Sequence, residues 1–287
     1  MPWVSFLREN AAFLFAGFLF AFTSSYGQTY FISLFAGEIR GEFGLTDGQW
    51  GGIYTLGTTL SAIAMIGAGV LTDRFRARTL AIWISIGLAL ACLALASVPN
   101  AVVLIAVIFA LRFFGQGMMS QLSAVSMARW FVATRGRALS VASMGFSVAQ
   151  AILPVIFVAL LGAIAWRDLW VVAAVLVLIT IPVQRRLLRL ERTPSSMAEA
   201  NQALGMGGKH WTRGQVLRSP LFWLMVPALL GPPAWGTALF FQQVHLTEVK
   251  GWDLVSFVAL MPLFTGAAIG ATFASGGAID RFGARRL

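Results

Sequence analysis

Charge is scarce in this chain, and that scarcity excludes most soluble folds. Charged residues make up 11% of the 287 positions and hydrophobic residues 58%. Soluble domains typically hold about 25% and about 45–50%. Eleven Asp and Glu stand against 21 Lys and Arg, a net charge of +10. Such an excess can mark nucleic-acid binding. Here the cations fall between apolar runs, not in one patch or stripe, so no nucleic-acid partner is expected. One cysteine, Cys92, excludes an internal disulfide and a cysteine metal cluster. The two histidines, His210 and His245, lie 35 positions apart (245 − 210) with no ligand spacing, so neither a metal nor a cofactor is expected. All the carboxylates fall in connections or at helix ends. That leaves no acid for a proton relay at mid-membrane, where pumps and symporters often carry one. With no nucleophile, metal or acid–base pair in view, an enzyme is not expected.

What the chain has in quantity is apolar length. A membrane-spanning helix needs about 20 mostly apolar residues. Eight runs qualify, roughly 11–37, 48–71, 80–98, 101–125, 137–162, 169–184, 220–245 and 254–279. They lack alternation, and open sheets cannot span lipid, so the expectation is an all-α, polytopic membrane bundle. The first run is too long and too aromatic for a cleaved signal, and no A-x-A site follows it. Of the Lys and Arg, 17 lie on the side of the N-terminus and three (Arg40, Arg167 and Lys250) on the other. Arg112 falls inside a run. The split places the N-terminus in the cytoplasm. The one long polar stretch, 185–219, divides a six-helix unit (1–184) from two further helices (220–287). Ser196 to Glu199 and Thr212 to Gln215 fit capping boxes, so short surface helices are expected there. The stretch lies either against anionic headgroups or free in water.

An internal repeat organises the whole. Gly69, Asp73, Arg74, Phe75, Arg78 and Leu80 recur as Gly276, Asp280, Arg281, Phe282, Arg285 and Leu287, each 207 positions later (280 − 73). Tyr26-Gly27 is echoed by Trp235-Gly236 at nearly the same offset. A long repeat in parallel order is the sequence form of a transporter built from two related halves. The pattern G-x-x-x-D-R-x-G-x-R-[RK] between two membrane helices resembles the signature loop of the major facilitator superfamily. The first copy departs from it, with Arg76 in place of Gly; Gly283 keeps the glycine. The resemblance implies twelve helices in two bundles and transport by alternating access. The chain would then stop after its eighth helix. It implies further an integral protein of the plasma (bacterial inner) membrane, monomeric, with lipid and a small-molecule substrate as its partners. In relatives the acid of each signature loop sits near a helix N-terminus of the other half. In an outward-facing state Asp280 is therefore expected near 136–140, and Asp73, lacking its helix, is expected to have only local partners such as Arg74 or Arg78.

Arg112 lies 11 residues past Ala101, about 16 Å down a helix that rises about 1.5 Å per residue. A guanidinium at that depth must face the bundle interior. Arg112-Phe113-Phe114-Gly115-Gln116-Gly117 also resembles the family's fourth-helix motif, R-x-x-x-G-x-G. Arg112 is either a cationic site for an anionic substrate or a structural arginine held by polar neighbours. Gln28, Gln116 and Gln150 are candidates to line the same cavity, with helix–helix hydrogen bonding as the competing role. Tyr26 and Trp235 are candidate aromatic walls. Gly231-Pro232-Pro233-Ala234-Trp235-Gly236 is expected to break or kink its helix. Ala128-Arg129-Trp130-Phe131, Arg135 to Ser140 and Val216 to Leu224 look like the monocarboxylate and oxalate–formate exchanger branch, although 254–279 lacks that branch's basic residue. The function expected is transport of a small organic anion such as a monocarboxylate. The alternatives are a drug or metabolite efflux antiporter of the same superfamily and a non-transporting membrane fragment.

Overall fold

The computed structural model describes residues 3–131, 134–189 and 212–282, with backbone alone for 3, 213, 232 and 272–282. Among the described residues there are helices and no strands. Among the described residues seven helices are long and apolar enough to cross a membrane, and Ala11–Gly27 is a shorter apolar helix beside them. The membrane helices are α1 (Ala11–Gly27), α2 (Asp47–Arg74), α3 (Ala77–Ala96), α4 (Ala101–Trp130), α5 (Arg135–Leu161), α6 (Trp166–Leu187), α7 (Pro220–Phe241) and α8 (Met261–Phe282). The protein is an integral membrane helix bundle.

The first apolar run is not one helix, which corrects the expectation of eight like spans. Its regular part ends at Thr23, and Ser24–Gly27 tightens into a 3₁₀ turn. Gln28 is extended, at φ −83° and ψ 151°. The chain then resumes in short pieces, Thr29–Ile32, Ser33–Phe35 and Ala36–Phe43. Serine chemistry explains the break: hydroxyls that bond nearby carbonyls compete with the helical ladder. Ser24 Oγ donates to Ala21 O at 2.7 Å, and Ser33 Oγ to Thr29 O at 2.7 Å. Irregular backbone at membrane depth survives only where protein buries it, and residues 24–27 and 29–36 are all buried.

The seventh run also departs from expectation. Pro232 and Pro233 stay inside one continuous helix, and the interruption falls at Gln242, before Gln243–Lys250. A proline φ near −65° fits a helix, so the helical turns continue through the pair although each proline forfeits a donor. The expected capping box at Thr212 forms: Gln215 N donates to Thr212 Oγ1 and Thr212 N to Gln215 Oε1. Its counterpart, Ser196 to Glu199, lies outside the described residues, as does most of the polar stretch.

Packing centres on α1. A ring cluster of Phe31, Phe35, Phe157 and Trp170 ties the far part of the first run to α5 and α6, with Phe31 and Phe157 centroids 4.8 Å apart. Ser85 and Gln184 bond between α3 and α6 at 3.2–3.3 Å. At the end of the bundle away from the N-terminus, Arg167 fastens three connections. It donates to Glu42 Oε1 at 2.6 Å, Ala96 O at 2.8 Å and Val98 O at 2.8 Å. Hydrogen bonds from Arg167 and Trp166 hold the Glu42 carboxyl below the usual carboxylate range.

Two backbones also approach closely between α1 and α4. A Cβ on Gly27 would stand 2.1 Å from Leu111 O and 2.7 Å from the Gly115 Cα. Only hydrogen fits there, so Gly27→Val should destabilise the protein by about 1–3 kcal/mol, the usual cost of overpacking. Thermal unfolding in detergent measures this, with Gly41→Val as the control, since nothing stands within 4 Å of a Cβ at Gly41.

Candidate functional site

The Gly27–Gly115 contact sets the site. The turns of α4 from Arg112 to Met119 widen into a π-helix, a local distortion frequent at functional sites. The widened segment lies against the break in α1. Arg112 is 5% exposed, and one nitrogen of its guanidinium bonds across that break. Nη1 donates to Thr29 Oγ1 at 3.0 Å and to Gly27 O at 3.3 Å. The ring of Tyr54, on α2, lies 5.6 Å from the guanidinium carbon, within cation–π range. Tyr54 OH in turn donates to Thr29 Oγ1 at 3.0 Å. Thr29 therefore joins α1, α2 and α4 through one oxygen.

These contacts solvate Arg112 with a carbonyl, a hydroxyl and a π-face and leave its charge in place. Among the described residues no carboxylate makes an ion pair with it. Its Nε is buried without a hydrogen-bond partner, as is Gln116 Oε1. Both residues line an open cavity of about 460 Å³ between α2 and α4, shared with Thr58, Ser61, Ser120 and Gln121. The lining offers a fixed cation, amides and hydroxyls.

The sequence candidates divide. Arg112 and Gln116 stand at the cavity. Gln28 reaches it indirectly, donating from Nε2 to Ser120 Oγ at 3.4 Å. Tyr26 is 2% exposed and packs edge-on against Phe31 and Phe157, as a core aromatic and not as a wall. Gln150 is buried on α5 and is not part of the cavity lining. Trp235 is 79% exposed and does not line the cavity. Two residues join the site beyond these candidates: Thr29, one of the polar residues that cluster along the first apolar run, and Tyr54. The second was detectable, because Tyr54, Thr58 and Ser61 recur at spacings of four and three, one face of α2.

The first signature loop corrects another expectation. Asp73 is paired across helices, with Arg129 at the end of α4, and Arg129 also donates to Thr72 O. Gly69 O accepts from Gln121 Nε2 at 3.4 Å. Arg74 is exposed and Arg78 half-buried. In the second copy Gly276, Asp280 and Arg281 are described by backbone alone, on α8, and Arg285 lies outside the described residues. Residues 14–287 match the family model described as Major Facilitator Superfamily. The chain belongs to that superfamily. Two similar solved structures are bacterial homologues of the human lysosomal transporter Spinster in inward-facing conformations. The occupied form has a TM-score of 0.69 at 20% identity, over 99% of this chain and 63% of that one. The unoccupied form has a TM-score of 0.63 at 18% identity, over 97% and 64%. The likeness is one of fold, and this chain spans less than two thirds of either structure. No curated protein matches it.

The Thr29 hydroxyl is expected to hold the major facilitator site together. Thr29→Val leaves a buried guanidinium N–H and the Tyr54 hydroxyl short of an acceptor, which should cost about 1–3 kcal/mol. Thr29→Ser should restore most of it. Thermal unfolding of the three proteins side by side is the check.

Proposed function

We propose that the chain forms the greater part of a secondary transporter that moves a small organic anion by alternating access. The observation that carries this reading is Arg112: a buried guanidinium at a cavity, with an unpartnered Nε and no carboxylate paired to it among the described residues. Unpaired charge within the membrane is expensive and functional by default. A substrate carboxylate supplies the missing counter-charge, accepting from Nε while Gln116 and Ser120 bond its polar groups. The sequence resemblance to the monocarboxylate and oxalate–formate branch supports a monocarboxylate over a larger or cationic drug. We place the N-terminus in the cytoplasm on the Lys and Arg distribution. On that assignment the face near Arg40, where Ala36–Phe43 meets Gln243–Lys250 (the α7 extension), is the external one, and the cavity belongs to an inward-facing state.

The full-length protein in proteoliposomes tests this. Uptake of radiolabelled acetate, lactate, formate and oxalate should include at least one transported anion. Arg112→Ala should lower that uptake by about 10- to 150-fold, since a buried charge-assisted contact is worth about 1.5–3 kcal/mol and its loss exposes no substitute. Arg112→Lys should retain part of it. Transport of a neutral or cationic substrate with Arg112→Ala unimpaired would overturn the reading.

A further inference from the structure

At the face away from the N-terminus the end of the first run and the start of α2 meet the α7 extension along a seam. The interior of the seam is neutral. Gln243 Nε2 donates to Tyr30 O and Ser33 Oγ, each at 2.8 Å, and Ser33 Oγ stands 2.6 Å from Phe240 O. Phe241 stacks on Trp50 at 6.2 Å. Gln243, Ser33 and Trp50 are all buried. Two polar atoms of this interior, Trp50 Nε1 and Gln243 Oε1, are buried without a hydrogen-bond partner. Such a group bears its full desolvation cost while the seam is shut and sheds it on meeting water. The interior therefore opposes closure as well as favouring it, a balance that a modest contact at the rim can decide.

The rim carries charge. Arg40, on Ala36–Phe43, donates from Nη2 to both Glu248 oxygens, at 2.6 and 2.7 Å, across the seam. The guanidinium is held in place from its own side. Nη1 pairs with Asp47 at the start of α2, and Nε donates to Ala36 O at 3.3 Å, one turn back. An exposed ion pair is usually weakened by the side-chain freedom it removes and by solvent screening. Here both anchors lie on Arg40's side of the seam, so little of its freedom is left to lose when Glu248 arrives. The Arg40 side chain is also mostly covered, at 13% exposure.

We propose that Arg40 is the latch of this face: an arginine positioned by Asp47 that captures Glu248 and tips a nearly balanced seam toward closure. The proposal rests on the alternating-access reading and not on the anion at Arg112, and its test contains no substrate.

The test is a distance measurement by double electron–electron resonance on the full-length protein, spin-labelled at Val102→Cys near the start of α4 and Val255→Cys on Leu254–Val258. Both positions are exposed, and the native Cys92 is buried. A single pH of about 8 keeps imidazole charge out of the comparison, since His245 Nδ1 stands 3.2 Å from Asp47. Arg40→Gln should raise the long-distance population relative to the short one about two- to fivefold, the range for a partly exposed pair. Glu248→Gln, at an exposed side chain, should do the same, and the double variant should add little to either single, as one shared contact requires. Raising salt from about 0.1 M to about 1 M shortens the screening length from about 10 Å to about 3 Å. It should shift the wild-type protein in the same direction and leave Arg40→Gln unmoved. Wild-type distances in Arg40→Gln, single effects that add in full in the double variant, or equal salt responses in the wild type and Arg40→Gln would each overturn the proposal. Anion transport is measured separately, so loss of the latch leaves the reading at Arg112 standing.

Discussion

One guanidinium in one gap accounts for much of this structure. Arg112 sits where water is scarce, and insertion scales put an arginine at a helix centre at about 2.5–3.5 kcal/mol. The protein offsets that cost by breaking α1. The break leaves the Gly27 carbonyl and the Thr29 hydroxyl facing α4. The π-helix in α4 and the bare Gly27–Gly115 contact bring the two backbones close enough for Arg112 to reach them. Tyr54 closes the third side with its ring and fixes Thr29 with its hydroxyl. The irregular backbone, the small residues and the aromatic thus answer a single demand. What they leave unanswered is the charge itself, and that residue of positive charge is the basis of the anion reading.

A second consequence concerns motion. The break in α1 is followed by short segments that carry Tyr30, Ser33 and Arg40 to the α7 extension. Tyr54 bonds Thr29 on one side and touches Phe241 of α7 on the other, with ring centroids 4.7 Å apart. The site and the closed seam therefore share a wall. A ligand that changes how Arg112 engages Thr29 and Tyr54 acts on the same side chains that seal the seam, which is the physical requirement for coupling occupancy to closure.

Much of this was legible in the residues. Apolar length and the placement of Lys and Arg gave the helices, and a lone arginine within a run gave the site, because charge in lipid admits few explanations. The repeat of Asp73 and Asp280 gave the superfamily. The neutral partners were not legible. Thr29 matters only because the chain is extended at Gln28, and no local pattern announces that break. Trp235 and Tyr26 were paired by a sequence echo, yet one is exposed and the other is core, since an echo fixes a position along a helix and not the face it presents. The Asp73–Arg129 pair links positions 56 apart (129 − 73). Arg129 falls in the branch-like motif Ala128-Arg129-Trp130-Phe131, and its pairing with Asp73 follows from where α4 ends. The helix of α7 runs on through Pro232 and Pro233, and its interruption falls at Gln242.

The central claim is that the Arg112 guanidinium is the anion's counter-charge. The most direct measurement is an experimental map of the full-length protein soaked with a bromine-substituted monocarboxylate such as 3-bromopropionate, located by the anomalous signal of bromine. The account predicts one dominant bromine peak in the cavity between α2 and α4, with the carboxylate within hydrogen-bond distance of Arg112. A carboxylate bound elsewhere, with Arg112 still turned to Thr29 and Gly27 and untouched by ligand, would contradict it.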